Sequence, residues 1–447
     1  MSNLTDRRTA MLVLLILFLD LVGFTLIFPL VPEMLDFYMT GARAPGSIDA
    51  WLLPLSQAAR DLLPADRQDD TTMIILLGGI LASLYSVLQF ATSPYWGKLS
   101  DRIGRRPVLL ITSLGLAVSY ALWFLSSSFT LFIISRVVGG LMSGNMSVAS
   151  AAMADTTTPE GRTRAMGMVG AAFGLGFVIG PVIGGLTSLI DLSAGRAHSL
   201  LHPFSLAALT AFGLALLSAG CNILWLRETL TAERGHQHQW TTNPLGTVRR
   251  NLRDPDFIRV VVINLAYVVT FSAWEFTFSF FYKIDFGLAP EYIGLVFLYV
   301  GVVLVLGQGG LVRVLTRKMC SRSIALIGLL VMPLPLYLFA YTAPSVSLSL
   351  LALFPVAIGA SLVNPALTGL ASLSAPPDRQ GLALGVMRSA GSLGRAVGPL
   401  LGAYLYWMLG IASAYLILAG ILLALFLFSF TLSGRAESAP VTQGSAS

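Results

Sequence analysis

The chain repeats one stretch: AMGMVGAAFGLGFVIGPVIGG at 165–185 returns as ALGVMRSAGSLGRAVGPLLGA at 383–403. Each position of the second copy lies 218 residues after its counterpart. Five positions that hold glycine or proline are identical in both: Gly167, Gly176, Gly180, Pro181 and Gly184 recur as Gly385, Gly394, Gly398, Pro399 and Gly402. Composition alone does not explain so many coincidences at one offset, so the sequence predicts two related halves.

The composition is that of an integral membrane protein. Apolar residues make up 55% of the 447 positions and charged residues 11%, whereas soluble domains carry roughly 25% charged residues. Many apolar runs reach the ~20 residues that span a bilayer. The net charge of +6 resides in short turns between these runs, which argues against nucleic-acid binding. We see no nucleotide loop, metal-ligand cluster or nucleophilic triad, so we expect neither an enzyme nor a metal protein.

The apolar runs predict an all-α fold of twelve transmembrane helices in two pseudo-symmetric six-helix bundles. Duplicated halves related by an axis along the membrane normal are typical of secondary transporters. The predicted halves are 1–226 and 257–432, joined by a polar, basic linker at 227–256 and followed by a disordered tail at 433–447. The predicted spans are 10–32, 71–95, 107–126, 129–154, 164–188, 203–226, 257–281, 290–312, 322–342, 346–370, 382–407 and 410–432.

The loops on the two sides of this arrangement differ in charge. Loops on the side of the N-terminus hold twenty Lys and Arg residues, and the opposite loops hold five. Because basic loops stay in the cytoplasm, we predict that both termini are cytoplasmic. We expect a monomer in a bacterial inner (plasma) membrane.

One loop is longer than the others. Residues 33–70 form a predicted external loop that contains the apolar stretch Trp51–Leu55 among scattered acids. Two interpretations stay open for this stretch: an amphipathic segment lying in the membrane interface, or a solvated loop.

Acidic residues inside the membrane are candidates for function. Asp20 and Glu275 are the two that lie more than one residue inside a predicted span, and Asp20 lies about 15 Å along its helix, near the midplane. Burial disfavours a charged carboxylate, so either group is a candidate for proton exchange. We predict Asp20 as the proton carrier, with Arg136 as its electrostatic partner. Glu275 is either a second proton site or a static partner of an arginine.

The repeat also shows where the halves differ. Arg388 replaces the counterpart of Gly170, and Arg395 replaces that of Phe177. The two arginines are seven residues apart and therefore lie on nearly one helix face. Burying an arginine in the bilayer costs about 2.5–3.5 kcal/mol, so each needs a partner or a wet cavity. Arg388 is near enough to the cytoplasm to extend into water, whereas Arg395 is too deep.

The segment GKLSDRIGRR at 97–106 resembles the loop 2–3 motif of the major facilitator superfamily. The resemblance implies a charge cluster that latches the two halves in an outward-open state, completed by an acid at the end of the fourth helix. The latch residues would be Gly97, Asp101, Arg102, Gly104, Arg105, Arg106 and Asp155. The equivalent turn of the second half, GLVRVLTRK at 310–318, has no Asp.

Other segments resemble the drug:proton antiporters of the tetracycline-efflux type. Arg136 with Gly140 resembles the family's proton-coupling motif, and Asp20 in LDLVGFTLIFP at 19–29 resembles its first-helix acid. RETL at 227–230 resembles the end of helix six in that branch. The fifth-helix motif is another such segment, and its small residues are also suited to close helix packing. The motif and its repeat comprise Gly176, Gly180, Pro181, Gly184, Gly185, Gly398 and Pro399.

The resemblance implies proton-coupled export of amphipathic organic compounds, with organic anions or drugs as substrates. The proton is the expected coupling ion and no other cofactor is expected. Arg388 and Arg395 are predicted to attract a carboxylate in a cavity between the halves. The predicted aromatic wall consists of Phe24, Phe28, Trp274, Phe278 and Tyr282. Two alternatives stay open: a proton-coupled importer of a sugar or carboxylate, and a lipid-moving facilitator.

Overall fold

The computed structural model describes residues 2–64, 68, 70–157, 162–195, 201–230, 254–339, 341, 345–374 and 380–432. Within these ranges the chain is helical and contains no β-strand, which confirms the predicted all-α class. Most of the predicted linker, 231–253, and the predicted tail, 433–447, lie outside the described residues.

Twelve membrane spans, numbered α1 to α12, follow one another along the chain. Eleven described helices are long and apolar enough to cross a bilayer, and the last contains a kink at Gly410, with φ 76°, that divides it in two. The spans are α1 Ser2–Thr25, α2 Asp70–Ile103, α3 Arg105–Phe124, α4 Phe129–Met142 continued by Asn145–Asp155, α5 Arg162–Thr187, α6 Ser205–Trp225, α7 Pro255–Ile284, α8 Pro290–Leu306 continued by the π-helical turn Gly307–Leu311 and Val312–Leu315, α9 Ser321–Val331 continued by Pro333–Phe339, α10 Val346–Leu373, and α11 with α12 within Gln380–Ser429.

Local sequence accounts for several helix starts. Proline occupies the first turn of α7 and of α8, where a missing N–H has no consequence. The side chains of Ser128 and Ser345 accept hydrogen bonds from backbone N–H groups in the first turns of α4 and α10. A single residue, Gly104 with φ 105°, separates α2 from α3. We call the end of the bundle that carries this α2–α3 turn the basic face, and the other end the opposite face.

The predicted loop at 33–70 is only partly a loop. The first span ends at Thr25, and the chain then forms two further helices, Val31–Ala42 and Leu52–Arg60. The prediction of one span to residue 32 followed by a long loop is therefore wrong in detail. Pro32 in the first turn of Val31–Ala42 starts a new helix, and Trp51 immediately precedes the second one.

This segment packs on the start of α4. The buried carboxylate of Asp49 accepts hydrogen bonds from the N–H groups of Phe129 and Thr130, at 2.6 and 2.9 Å, and from the Thr130 hydroxyl at 2.8 Å. The indole N–H of Trp51 also donates to the Thr130 hydroxyl, at 3.0 Å. A carboxylate at a helix N-terminus satisfies free N–H groups and favours the positive end of the helix dipole. The segment is thus a folded cap on the first half.

A second set of contacts holds the cap to α2. The carboxylate of Asp70 forms ion pairs with Arg43 at 2.5 Å and with Arg60 at 2.7 Å, and so joins both cap helices to the start of α2. Hydrogen bonding and charge from Arg43 lower the pKa of Asp70. The ion pairs therefore persist until the pH falls below the ordinary range of a carboxyl group.

Asp49→Ala is expected to loosen this cap. The substitution removes three hydrogen bonds and leaves two N–H groups at the buried start of α4 without an acceptor. Loss of a helix cap costs about 0.5–2 kcal/mol. Thermal unfolding of the purified protein in detergent should show a lower midpoint for Asp49→Ala than for Asp61→Ala, which alters an exposed acid in the same segment. Equal midpoints would contradict the capping role.

Small residues let α5 approach α1, and α11 approach α7. A Cβ atom built on Gly180 or Gly184 would lie 1.9 Å from Thr25, the last residue of α1, or from the backbone of Leu26, which follows it. In the second half, Cβ atoms on Gly398 and Gly402 would lie 2.6 and 2.4 Å from α7. Thr25 also donates a hydrogen bond to the carbonyl of Gly176 at 2.9 Å. The repeated motif therefore makes the same close packing in each half.

The two halves meet near the opposite face and separate towards the basic face. Lys283 of α7 pairs with Glu33 of the first half at 3.0 Å, and the Ser279 hydroxyl donates to the carbonyl of Phe28 at 3.2 Å. A Cβ atom on Gly185 of α5 would lie 2.8 Å from the carbonyl of Pro290 in α8. Nearer the basic face, Cβ atoms at the following glycines of α5, α8 and α11 would meet nothing within 4 Å: Gly167, Gly170, Gly174, Gly309, Gly310 and Gly385. Among the described residues, the halves are thus in contact at the opposite face and farther apart at the basic face.

Candidate functional site

A central cavity lies between the halves at the level where they separate. Its wall is formed by α1, α2, α4, α5, α7, α8 and α11, together with the helix Val31–Ala42. Most of the wall is apolar and aromatic, and the charged side chains in it are Arg136, Glu275 and Arg395. The lining aromatic residues are Phe24, Phe28, Tyr85, Phe132, Phe177, Phe276, Phe280 and Phe297.

The structure brings together some of the predicted site residues and excludes others. Phe24, Phe28 and Arg395 line the cavity, as do Arg136 and Glu275. Arg388 does not line it, because this residue lies two helical turns closer to the basic face on α11 and is exposed there. The prediction that both α11 arginines share the cavity is therefore wrong for Arg388.

The predicted aromatic wall is wrong for Trp274, Phe278 and Tyr282. These three side chains are buried in the core of the second half, where Phe278 packs edge to face on Phe297 and the Tyr282 hydroxyl pairs with Ser349 at 2.8 Å. The cavity instead receives the other face of α7. Positions 272, 275, 276, 279 and 280, spaced three and four residues apart, supply that face.

Asp20 lies inside the first half, in a buried polar network. Its carboxylate accepts a hydrogen bond from the side-chain amide of Asn145, whose carbonyl oxygen accepts one from Thr112. The Asn145 amide also lies 3.4 Å from the Ser113 hydroxyl, which pairs with Ser218 at 3.2 Å. The second carboxylate oxygen of Asp20 is buried without a partner among the described residues. The network joins α1, α3, α4 and α6.

Asp20 and Arg136 form no ion pair in the structure, and the predicted electrostatic partnership between them stays a prediction. The Arg136 guanidinium lies among aromatic rings instead, 5.0 Å from the ring centre of Trp123 and 5.3 Å from that of Phe132. Helix α4 breaks between Met142 and Asn145, and the residue after the break faces Asp20. Arg136 is nine residues earlier in α4, nearer the opposite face. Asn145 was missed because a neutral amide in an apolar run gives little signal.

Glu275 and Arg395 form the charged part of the wall on the second half. They lie on α7 and α11 and are close enough to interact electrostatically, without a direct ion pair between them. The Arg395 guanidinium hydrogen-bonds to the Ser392 hydroxyl at 3.3 Å and lies 5.9 Å from the ring centre of Phe173. Both groups therefore stay available to a ligand in the cavity.

The 97–106 segment forms a compact charge cluster on the basic face. The Arg105 guanidinium pairs with Asp101 at 2.6 Å and with Asp155 at 3.0 Å, and donates to the Ser100 hydroxyl. Asp101 lies in the last turn of α2, because that helix continues to Ile103. These contacts all lie within the first half.

Other members of the predicted latch differ in their surroundings. Arg102 and Arg106 are exposed, and Arg106 donates to the carbonyl of Ile223 at the end of α6, at 2.8 Å. A Cβ atom on Gly97 would meet nothing within 4 Å. Gly104, in contrast, is required by its positive φ and by the carboxylate that packs against it. A latch between the halves stays a prediction.

Glu228, which follows α6, is that carboxylate and was missed as a site residue. It accepts hydrogen bonds from the backbone N–H groups of Arg105 at 2.8 Å and Arg106 at 3.2 Å, at the start of α3. It also accepts from the N–H groups of Thr229 and Leu230, at 2.9 Å each. The RETL segment that carries it was recognised by resemblance, but its contact with α3 joins residues more than 120 positions apart.

Glu228→Ala should weaken the basic end of the first half. It leaves the first N–H groups of α3 without their acceptor and removes a negative charge from the helix N-terminus. We expect a loss of about 1 kcal/mol, the ordinary effect of losing an N-terminal cap. Thermal unfolding in detergent measures this, with Arg227→Ala as the neighbouring exposed control. A midpoint no lower than that of the control would exclude the role.

Comparison with known proteins agrees with this architecture. The family model of the Major Facilitator Superfamily matches residues 13–395 and 312–446. Major facilitator superfamily domain-containing protein 10 of Bos taurus is 32% identical over 461 residues, covering 97% of this chain and 94% of that protein. The tetracycline resistance protein, class H, of Pasteurella multocida is 27% identical over 405 residues, covering 90% and 89%.

A solved structure extends the comparison to the fold. The crystal structure of the human organic anion transporter MFSD10 (TETRAN) superimposes with a TM-score of 0.71 at 28% identity, covering 95% of this chain and 99% of that one. The predicted resemblance to the tetracycline-transporter-like branch is thereby confirmed. These matches span the whole helical part of the chain, and the chain is accordingly a member of the major facilitator superfamily, a membrane transporter and not an enzyme.

Proposed function

We propose that the protein exports amphipathic organic anions in exchange for protons, by alternating access. The observation that carries the proposal is the charge of the cavity wall. Among the described lining residues, two arginines face one carboxyl group within an aromatic surface. Such a wall favours a ligand that has an apolar body and a negative charge. The names of two relatives, an organic anion transporter and a tetracycline resistance protein, agree with this substrate class.

The orientation follows from the loop charges. With twenty basic loop residues on the side of the N-terminus, the basic face is placed in the cytoplasm. The cavity then opens to the cytoplasm, where an export substrate enters. We place the chain as a monomer in the inner membrane of a bacterium. Release on the other side requires the halves to separate at the opposite face, where Lys283 and Glu33 now pair.

Proton coupling is assigned to Asp20. It is a buried carboxyl group whose described hydrogen-bond donor, Asn145, is neutral. Exchange of its proton changes the charge inside the first half by one unit, and no cationic side chain in the described part of the chain forms an ion pair with it. Glu275 is a second acid that faces the substrate. In this scheme Asp20 links the proton to the conformation of the first half, while Glu275 senses the ligand.

Reconstitution tests the proposal. Proteoliposomes are given an imposed pH gradient and two probes of matched size, naphthalene-2-sulfonate and 2-naphthylmethylammonium. The expected result is accumulation of the anion against its gradient, driven by proton movement in the reverse direction, with little movement of the cation. Transport of the anion together with protons would favour the import alternative. Transport indifferent to pH, or equal for both probes, would remove the proposal.

A further inference from the structure

Two guanidinium groups face the cavity from opposite halves of the molecule. Arg136 belongs to α4 of the first half and Arg395 to α11 of the second. Arg136 is only 6% exposed, yet its Nη2 atom is buried without a hydrogen-bond partner among the described residues. Its Nε–H donates to the neighbouring Ser135 hydroxyl at 3.3 Å. A buried donor without an acceptor is unfavourable, so this group is suited to a ligand that supplies one.

An aromatic surface connects the two arginines. Phe173 lies under the Arg395 guanidinium and stacks on Phe177, with ring centres 4.7 Å apart. The ring of Phe177 lies 6.5 Å from that of Phe24, which stacks on Tyr85 at 5.0 Å. Tyr85 and Arg136 both line the same end of the cavity, close enough to interact electrostatically. Phe24 and Phe177 meet edge to face, so an apolar body in contact with these rings has a cationic group at each end.

The charges of the wall distinguish ligands with one anionic group from ligands with two. A monoanion binds one guanidinium group and leaves the other without an anionic partner from the ligand. A ligand with an anionic group at each end binds both guanidinium groups, one in each half of the molecule. Glu275 lies on the side of Arg395, so the Arg136 end has no carboxyl group in the described wall to compete with the ligand.

We infer that the preferred substrate is an amphipathic organic dianion, whose two anionic groups bind Arg136 and Arg395 while its apolar body lies on the rings of Phe24 and Phe177. This inference rests on the proposed export of organic anions and narrows its substrate class. It also gives Arg136 a role in binding substrate, beside its predicted role as the electrostatic partner of Asp20. Because one arginine belongs to each half, such a ligand bridges the halves across the cavity.

Equilibrium binding to the full-length protein in detergent tests the inference. The probes are biphenyl-4,4′-dicarboxylate and biphenyl-4-carboxylate, which share one apolar body and differ by one anionic group. Isothermal titration should show the dianion binding about tenfold tighter or more, the usual gain from one further charge-assisted hydrogen bond. Arg136→Gln and Arg395→Gln should each reduce the dianion to the affinity of the monoanion. Arg388→Gln, outside the cavity on the same helix as Arg395, should keep the full preference.

The outcomes separate this inference from the proposal on which it rests. Equal affinities of the two probes for the unchanged protein would overturn it, as would a dianion preference that survives Arg136→Gln. If Arg136→Gln does not fold, Arg395→Gln supplies the same comparison from the other half. Anion export driven by protons but without a dianion preference would leave the proposed function standing alone. Absence of all anion export would instead remove the proposed function.

Discussion

Gly184→Val should yield almost no folded protein, because α5 packs so closely on the end of α1 that no side chain fits at this position. The Cβ atom would lie 1.9 Å from the carbonyl oxygen of Leu26, a backbone atom that cannot rotate away. Overpacking a core normally costs about 1–3 kcal/mol, and a clash with backbone lies above that range. Size-exclusion profiles of detergent extracts measure the effect. Gly174→Val, at a position on α5 with nothing within 4 Å of a Cβ atom, should retain the monodisperse peak.

The adjacent glycine should give a different phenotype. Gly185 faces α8 of the other half, so Gly185→Ala acts on the contact between the halves and leaves the packing of α5 on α1 in place. We expect folded protein in which the opposite face can no longer close as it does now. Maleimide labelling of Ser86→Cys in the cavity wall, with Cys320→Ser present in both samples, should become weaker from the basic face. Unchanged labelling would show that this contact does not control closure.

Asp20→Asn is expected to abolish proton-driven transport while leaving ligand binding intact. An asparagine keeps the shape of the side chain and can still accept the hydrogen bond from Asn145, but it cannot exchange a proton. Asp20 does not line the cavity, so the substitution leaves the wall unchanged. Flux driven by a pH gradient should fall to the level of protein-free liposomes. Exchange of labelled for unlabelled substrate, without a gradient, should continue.

A matched variant locates the effect. Glu275→Gln alters the acid that faces the ligand, so it should change substrate affinity and the charge of the preferred substrate. Asp20→Asn should change the dependence on the pH gradient with affinity within about twofold, since it removes no contact to the ligand. Full pH-driven flux in Asp20→Asn would transfer the coupling role to another group. Loss of binding in this variant would mean that the polar network supports the cavity itself.

The sequence predicted the spans well because a bilayer imposes a clear requirement on length and polarity. It also identified the residues whose presence in lipid needs a reason: Asp20, Arg136, Glu275 and Arg395. Their partners were harder to predict. Asn145 contacts Asp20 because α4 breaks after Met142. The apolar run that predicts α4 carries no information about that break.

The aromatic wall was predicted poorly for a related reason. In a helix of a soluble protein, the apolar face indicates which side is buried and the polar face which side is exposed. Helix α7 is apolar on all sides, because its neighbours are core, lipid or cavity. Trp274 and Phe276 are therefore equivalent in the sequence, although the first is buried in the second half and the second lines the cavity. The small residues Ser272 and Ser279, which share a face with Glu275, were the available signal.

The kink at Gly410 divides the last described helix into two spans. Without it, the 50 residues of Gln380–Ser429 would form one rod about 75 Å long, more than twice the roughly 30 Å of a bilayer's hydrocarbon core. A positive φ is easily adopted by glycine and seldom by residues with a Cβ atom. The number of spans in the described part of the chain thus depends on the backbone of one amino acid. The apolar runs of the sequence predict the same division, with spans at 382–407 and 410–432.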